Sequence, residues 1–318
     1  MKSAQSTLIA IATGVALFAS AIAPAMASSD EPYIAIVSKG FAHQYWQAVR
    51  QGAEQKAQEE GARITFVGPP TESDVAIQIN QLTTALQKQP DALGFAALDS
   101  RAAGPMMMQA EAKGIPVIAF DSGVDSPVPK ATVATNNKRA AAAAAKHMAE
   151  LLDGEGKVGL IIHDQTSKSG VDRRDGFVNW MEKNAPDIQL LQPQYCSSDM
   201  LKAANIGKAI IASNPDIDGI YASNEGAAQG LILALKETGK KGITGVGFDS
   251  GKTQIDAVRS GLLAGAVTQS PFGMGEQLVG TALKVLNGED VPKHVDTGFS
   301  WYDKSNIDEP EIQRDLYK

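Results

Sequence analysis

Short hydrophobic runs alternate along this chain with longer segments in which apolar residues return every three or four positions. Short aliphatic runs are typical of β-strands, and the longer periodic segments are typical of helices. The first predicted strands are YIAIV at 33–37, RITFV at 63–67, ALGFAAL at 92–98, PVIAF at 116–120 and ATVAT at 131–135. The pattern then starts again with KVGLII at 157–162, IQLLQPQY at 188–195, GIYAS at 219–223, ITGVGF at 243–248 and LAGAVTQ at 263–269. This alternation in two halves predicts an α/β protein with two doubly wound lobes, each a parallel sheet covered by helices.

The phrase FDSG occurs once in each half. The stretches GIPVIAFDSG at 114–123 and GITGVGFDSG at 242–251 align without a gap, and in both the phrase ends a predicted strand. Open parallel sheets bind ligands beyond the carboxyl ends of their strands, so Asp121 and Asp249 are predicted to face one another across a cleft. A single copy would be explained by an Asp that caps the following helix or turn. The second copy instead favours a ligand-binding surface that is repeated in the two halves of the chain.

Other polar side chains lie at the same predicted edge. Asn224 follows GIYAS, Gln269 ends LAGAVTQ, and Arg173 lies where a strand has passed into a helix. The loop after the first strand adds Lys39, Phe41, His43, Tyr45 and Trp46. Each residue alone has an ordinary structural explanation, such as a helix cap, a surface ion pair or a buried helix face. Together they predict one polar site shared by both halves.

The first 27 residues have the pattern of an export signal. Lys2 precedes an uncharged apolar run at 8–18, and Ala-Met-Ala at 25–27 is a small-x-small cleavage site. The apolar run is too short to cross about 30 Å of hydrocarbon. The one cysteine, Cys196, lies far from that site, so it offers neither a lipid attachment point there nor an internal disulfide. We therefore expect an unlipidated protein of a Gram-negative periplasm.

Composition and charge narrow the function further. The chain carries 29 Lys and Arg against 36 Asp and Glu, a net charge of −7, which disfavours nucleic acid and anionic lipid as partners. The alanine run at 140–145 predicts a helix. GEGK at 154–157 lacks the spacing of a phosphate loop, and the four histidines follow no metal or catalytic motif. No cofactor and no metal site are predicted.

Seven segments follow one another in an order, and near a spacing, that is known from one family: SKGFAHQYWQAVRQGAEQKA, DALGFAALDS, GIPVIAFDSG, RRDGF, YASNEGAAQG, GVGFDS and AGAVTQSP. Through them, essentially the whole mature chain resembles periplasmic sugar-binding proteins of the ribose-binding type. The resemblance implies the type I periplasmic binding protein fold, with two lobes joined by a three-segment hinge. It also implies the substrate-binding component of an ABC importer, which closes over a monosaccharide.

The family's sugar-binding positions are matched one by one. Strand-edge residues that hydrogen-bond the sugar hydroxyls correspond to Asp121, Arg173, Asn224, Asp249 and Gln269, and the family's paired aromatics correspond to Tyr45 and Trp46, with His43 two positions before them. These residue types suit a sugar, because a hydroxyl both donates and accepts hydrogen bonds. The apolar C–H faces of a sugar ring pack against aromatic rings, for which Phe41 is a further candidate.

The chain also departs from the ribose binders. Ser122 stands where they carry Arg, and the segment YCSSDM offers Ser198 where an aromatic ring shields the ligand. Losing a bidentate donor and a stacking ring would leave ribose poorly held, so we expect a sugar or polyol other than ribose. With Lys39 and His43, the first loop is instead similar to that of relatives that bind autoinducer-2 or deoxy sugars. A ligand of that kind is the alternative.

Two other classes of protein compete with an importer component. Facing carboxylates could act as the acid and base of a glycosidase, but hydroxyl binding already explains both Asp residues and no other catalytic pattern is present. A transcriptional regulator of the lactose-repressor type would need a basic DNA-binding segment at the N-terminus, where this chain has an export signal. We therefore do not expect an enzyme.

The predicted domains are a signal peptide at 1–27, a first lobe of 30–135 plus 271–297, and a second lobe of 136–270 plus 298–318. The crossings between lobes are expected near Asn136, Ser270 and Thr297. Binding should shift the population from open to closed, and the membrane permease of the importer should read the closed form. A chemoreceptor or a sensor kinase is a further candidate partner, and we expect a monomer.

Overall fold

The computed structural model describes residues 31–317, so the predicted signal peptide lies outside the described residues. The strands are β1 (Tyr33–Val37), β2 (Arg63–Val67), β3 (Ala92–Phe95), β4 (Val117–Phe120), β5 (Ala131–Ala134), β6 (Gly156–Ile162), β7 (Ile188–Leu190), β8 (Gln194–Tyr195), β9 (Gly219–Ala222), β10 (Thr244–Phe248), β11 (Gly265–Gln269), β12 (His294–Asp296) and β13 (Phe299–Asp303). The helices are α1 (Gln44–Glu60), α2 (Val75–Gln87), α3 (Gly104–Ala112), α4 (Asn137–Leu151), α5 (Lys168–Asn184), α6 (Met200–Ser213), α7 (Glu225–Thr238), α8 (Lys252–Ser260), α9 (Pro271–Leu286) and α10 (Pro310–Asp315). Strands and helices alternate through both halves, as predicted.

Within residues 31–317 the strands form two sheets. The first sheet has the order β12-β5-β4-β3-β1-β2, and every neighbouring pair is parallel. The second sheet has the order β13-β11-β10-β9-β6-β7, with β8 also paired to β6. All its pairs are parallel except β13 with β11, which is antiparallel and lies at the edge. The doubly wound α/β fold is confirmed, with an antiparallel edge strand that the sequence pattern did not predict.

One predicted strand is broken in two. The run IQLLQPQY forms β7 and β8, with Pro193 between them. Proline has no N–H to donate to a sheet, so the hydrogen-bonded ladder stops there and resumes after it. β12, β13 and α10 lie in the last 25 residues, where no strand or helix was predicted.

The chain passes between the two sheets three times. These passages follow β5, follow β11, and link β12 to β13. Two of them are joined by hydrogen bonds: the hydroxyl oxygens of Thr135 and Thr297 are 3.2 Å apart, and the Asn136 N–H donates to Asp296 over 3.3 Å. The first and third passages therefore run side by side.

Each sheet is buried between two layers of helices. The first sheet packs on α1 and α9 on one face and on α2 and α3 on the other. The second packs on α4 and α5 on one face and on α6, α7 and α8 on the other. α1 and α9 approach closely where each carries a glycine. A Cβ at Gly52 would lie 2.0 Å from the Phe272 carbonyl oxygen, and a Cβ at Gly275 would lie 2.0 Å from the Val49 carbonyl oxygen. Among residues 31–317, no helix has both the length and the apolar character to cross a bilayer.

Candidate functional site

Polar side chains from both sheets meet at the carboxyl ends of their strands. Each sheet presents this edge toward the other, so side chains that are far apart in sequence surround one buried space. Its lining consists of Lys39, His43, Tyr45, Trp46, Glu72, Asp121, His163, Arg173, Asn224, Glu225, Asp249 and Gln269. The centre of a water molecule could occupy only about 20 Å³ of this space, so the side chains on its two sides are nearly in contact.

The two FDSG phrases have the same backbone conformation. Asp121 and Asp249 have φ angles of 54° and 78°, in the left-handed region that residues other than glycine seldom adopt. Each directly follows its strand, and each donates its N–H to the next strand of its sheet, at the carbonyls of Val133 and Val267 over 2.9 and 2.6 Å. Such a conformation costs of order 1–3 kcal/mol and is held only by its surroundings. The repeated sequence therefore produces a repeated turn that directs a carboxylate into the lining from each sheet.

On the first-sheet side, Asp121 is the centre of a charged cluster. Its Oδ1 accepts a hydrogen bond from the Tyr45 hydroxyl at 2.9 Å, and its Oδ2 lies 3.1 Å from the ammonium of Lys39. Burial lowers the pKa of Lys39, but the carboxylates of Asp121 and Glu72 outweigh burial and the pKa is raised. Lys39 is therefore held in its charged form, 4% exposed.

On the second-sheet side, Asp249 has the corresponding place. Its Oδ1 accepts from the Gln269 amide at 2.6 Å, and its Oδ2 accepts from the Glu225 N–H at 2.9 Å. The Arg173 guanidinium lies 3.8 Å from the same oxygen. Burial raises the pKa of Asp249, and the cation and the amide offset this only in part.

Arg173 is held in place on three sides. Its Nε donates to Asn137 at 2.7 Å, one terminal nitrogen donates to the Ser223 carbonyl at 2.9 Å, and the guanidinium lies 3.8 Å over the Phe248 ring. A guanidinium fixed in this way loses little further conformational entropy when it binds a ligand.

Glu72 joins the two sides through a chain of hydrogen bonds. Its carboxylate accepts from the indole N–H of Trp46 at 2.7 Å and from the Ser198 hydroxyl at 2.6 Å. The Ser198 oxygen in turn accepts from the Asn224 amide at 2.9 Å. Burial raises the pKa of Glu72, but Lys39 together with nearby donors outweighs burial, and the pKa is lowered. Ser198, which the resemblance places where relatives carry a shielding aromatic ring, is thus part of this series of hydrogen bonds.

Two helices are capped across the gap between the sheets. The Glu225 carboxylate accepts from the backbone N–H groups of Gln44 and Tyr45, at 3.3 and 3.1 Å, at the start of α1. The residue before α1, His43, makes no side-chain cap of its own. In return, the Gln44 side-chain oxygen accepts from the Lys252 N–H at the start of α8, at 2.8 Å. The N-termini of α1 and α8 are therefore satisfied by groups from the opposite side.

All predicted site residues except Phe41 and Ser122 line the space. Phe41 is partly exposed, with its ring beside the Arg50 guanidinium. The Ser122 hydroxyl donates to Ser169 at 3.0 Å, which also accepts from Lys39 at 3.0 Å. Ser122 thus contacts the opposite side of the protein rather than the lining.

Sequence reasoning missed three lining residues. His163 directly follows β6, so the rule that selected Asp121 and Asp249 also applies to it. Glu225 is next to the predicted Asn224. Glu72 lies in the loop after β2, where no strand-edge signal marks it.

The chain belongs to the periplasmic binding protein domain family, whose model matches residues 34–290. A solute-binding protein of an ABC transporter from Agrobacterium vitis, solved with bound D-fucose, is 35% identical, and the match covers 90% of this chain and 100% of that one with a TM-score of 0.87. A xylitol-binding protein of Mycolicibacterium smegmatis is 29% identical over 72% of this chain and 65% of its own length, just under two thirds of that relative. A D-ribose/D-allose-binding protein of Pseudomonas aeruginosa is 28% identical over 85% of this chain and 86% of its own.

These relatives confirm the resemblance to solute-binding proteins of ABC transporters and the type I fold. They also agree with the prediction that the chain is not an enzyme, since the family consists of binding proteins.

Proposed function

We propose that this protein is the periplasmic substrate-binding component of an ABC importer and captures a neutral monosaccharide or polyol other than ribose. The observation that carries the proposal is the convergence of carboxylate, amide and guanidinium groups from both sheets on one buried space. A carboxylate accepts from a sugar hydroxyl, and an amide or guanidinium donates to its lone pairs. The relatives bind D-fucose, xylitol, and D-ribose or D-allose by name, which supports a carbohydrate or polyol ligand.

Charge argues for an uncharged solute. The cations Lys39 and Arg173 are already matched by Asp121 and Asp249, so neither offers an unpaired charge to a sugar acid or phosphate. Two buried polar atoms of the lining, Oε1 of Gln269 and Nε2 of His163, have no hydrogen-bond partner among the described residues. Buried polar groups are normally paired, and the hydroxyls of a sugar or polyol would pair them.

Two positions support exclusion of ribose. The ribose binders carry an Arg at the position of Ser122, and here the Ser122 hydroxyl donates a hydrogen bond to Ser169. Ser198 stands at the position of the shielding aromatic and is bonded to Glu72. The alternative ligand is a deoxy sugar or autoinducer-2. Of these two, the deoxy sugar is favoured, because the Agrobacterium vitis relative holds D-fucose, which is a 6-deoxy sugar.

We propose that the solute enters when two lobes, one built around each sheet, separate about the three passages. The proposed lobes are 30–135 plus 271–297 and 136–270 plus 298–318. Hydrogen bonds that join the two sides, such as Glu72 with Ser198 and Ser122 with Ser169, would break in the open form. Solute that contacts both walls shifts the population to the closed form. We further propose that the protein is exported by its N-terminal signal, remains unlipidated and monomeric, and docks on the importer's permease.

A thermal-shift screen of the mature protein tests this function. The panel contains pentoses, hexoses, deoxy sugars, pentitols, hexitols, inositols and autoinducer-2, because a ligand that binds the native state raises the melting temperature by mass action. We expect a clear shift with one carbohydrate or polyol and none with ribose. A shift with autoinducer-2 alone would favour the alternative, and the absence of any shift across the carbohydrates and polyols would contradict the proposal.

A further inference from the structure

His163 lines the site but corresponds to none of the family positions matched above. It directly follows β6, between the strand neighbours β9 and β7, and its side chain is 1% exposed. Its Nε2 is buried in the lining and has no hydrogen-bond partner among the described residues. A buried polar atom without a partner is disfavoured, so this nitrogen points to a group that arrives with the solute.

The contacts of Ser223 determine which nitrogen of His163 carries the hydrogen. The Ser223 hydroxyl oxygen accepts from the His163 backbone N–H at 2.8 Å and lies 2.7 Å from Nδ1 of the same residue. The hydroxyl has one hydrogen to donate, and within residues 31–317 its two hydrogen bonds are these, of which the backbone N–H cannot accept. Ser223 therefore donates to Nδ1, and the hydrogen of the neutral ring is on Nε2.

The ring is favoured in its neutral form because it is buried and has cations nearby. Burial lowers the pKa of His163 well below its usual value, and the charges of Arg173, Lys39 and His43 lower it further. Together these effects outweigh the Ser223 backbone, which raises the pKa. A neutral ring with Nε2–H offers the lining one donor that carries no charge.

We infer that His163 is a further solute-binding residue, whose neutral Nε2–H donates a hydrogen bond to an oxygen of the bound sugar or polyol. This inference rests on the proposed function. It gives the site a division of roles: Asp121 and Gln269 accept from the solute, whereas His163 donates to it. A solute with a hydrogen-bond acceptor opposite β6 is then selected over one that has lost it.

Two substitutions at His163 test the roles of the two ring nitrogens separately. His163→Asn places an amide oxygen near the position of Nδ1, where it can accept from Ser223, but it leaves nothing at the position of Nε2. His163→Gln places an amide N–H near Nε2. We expect His163→Asn to weaken the affinity for the best solute of the screen about tenfold, and His163→Gln to recover part of that loss. The melting temperature of each unliganded variant serves as the control for folding.

A second measurement tests the inference by ligand chemistry. Analogues of the solute that each lack one hydroxyl are titrated into the wild type and into His163→Asn. For one analogue the loss of affinity seen with the wild type should disappear in the variant, since the two changes remove the same hydrogen bond. A purely structural role of His163 would leave the loss from every analogue unchanged.

Nitrogen-15 NMR of the unliganded protein tests the tautomer independently of any solute. We expect a protonated Nε2 and an unprotonated Nδ1 that do not titrate from about pH 8 to pH 5.5. A ring protonated on Nδ1, or unchanged affinity for His163→Asn in a protein that does bind a carbohydrate, would overturn the inference and leave the proposed function intact. A wild type that binds no carbohydrate or polyol would overturn both.

Discussion

Asp121 and Asp249 combine an unusual backbone with a buried charge. Each carboxylate is aimed by a left-handed residue and braced by a tyrosine or an amide, so little reorganisation is needed when a hydroxyl takes part in the cluster. Hydrogen bonds to charged groups contribute about 1.5–3 kcal/mol, more than neutral ones. The two Asp residues should therefore contribute most of the affinity for the solute.

Replacing Asp249 by Asn tests this contribution. We expect the affinity for the solute to fall at least about tenfold, because a charged acceptor becomes a neutral one of the same shape. Calorimetric titration measures the change. The matched control is Asp256→Asn, which removes an exposed carboxylate from α8 that pairs with Lys252. Equal affinity of Asp249→Asn and the control would remove Asp249 from the binding site.

Glu72 gives the closed arrangement a dependence on pH. Its pKa is lowered in this arrangement, so its contribution is present above the ordinary value of 4.5 and is lost as the pH falls through the lowered value. Asp249 and Glu225, with raised pKa values, act in the opposite direction. A variant is therefore needed to isolate Glu72.

We expect Glu72→Gln to bind solute more weakly than the wild type at neutral pH. The ratio of the two affinities should shrink as the pH falls below about 4.5, because the wild-type carboxylate then becomes neutral as well. Titration followed by tryptophan fluorescence, to which Trp46 with its indole against Glu72 contributes, gives both affinities. A ratio that stays constant with pH would show that Glu72 acts by shape alone.

At the scale of elements, α1 and α8 depend on each other's side of the protein for their N-terminal caps. Gln44 and Glu225 supply these caps only when the two sides are in contact. A cap contributes about 0.5–2 kcal/mol, so the proposed closure would be favoured by groups that need not touch the solute.

Substitution of Gln44 separates this effect from solute contact, since Gln44 does not line the site. Gln44→Ala should weaken binding about two- to fivefold by loss of the α8 cap, which acts on the closed form alone. Gln47→Ala is the matched control, because Gln47 lies on the same helix and bonds within its own side, to the Phe41 carbonyl. Calorimetry of both variants decides the matter: equal affinities would contradict a capping role.

The elements themselves could largely be predicted from the sequence, because hydrophobic periodicity depends on local burial. The runs at 33–37, 63–67 and 116–120 became strands within one residue of their expected bounds. The short edge strands β12 and β13 could not be predicted, since they are only partly buried and depend on pairing with β5 and β11. Side chains directly after strands were placed well, because the carboxyl edge of a parallel sheet fixes their position.

Loop residues were harder to place. Glu72 reaches the site through the path of the β2–α2 loop, and that path depends on contacts with Trp46 and Ser198. Ser122 and Phe41 were predicted as site residues from their places in the chain, but they do not line the space, because packing and not place in the sequence decides the direction of a side chain. The twin conformation of Asp121 and Asp249, by contrast, could be expected from the repeat.

At the scale of the whole molecule, Ser122 and Ser169 mark a direct contact between the two sides, with hydroxyl oxygens 3.0 Å apart. Cysteines at both positions would lie within reach of a disulfide. The native Cys196 is buried, and burial raises the pKa of its thiol to about 12, so it should not compete for oxidation.

We expect the oxidised double variant Ser122→Cys/Ser169→Cys to be locked closed. Exchange of bound solute should slow by at least about tenfold under oxidising conditions and should recover after reduction, because exchange requires the two sides to separate. Stopped-flow displacement measures the rate, and each single variant is the control. Rapid exchange in the oxidised double variant would show that solute reaches the site without movement about the passages.

The caps exchanged between α1 and α8 have a consequence for energy use by the cell. They favour closure whether or not cargo is present, so a fraction of the empty protein should resemble the loaded protein. A permease that responds to shape alone would then hydrolyse ATP without importing anything. In the importer proposed above, the strength of these caps would therefore set a compromise between tight capture of solute and ATP hydrolysis without transport.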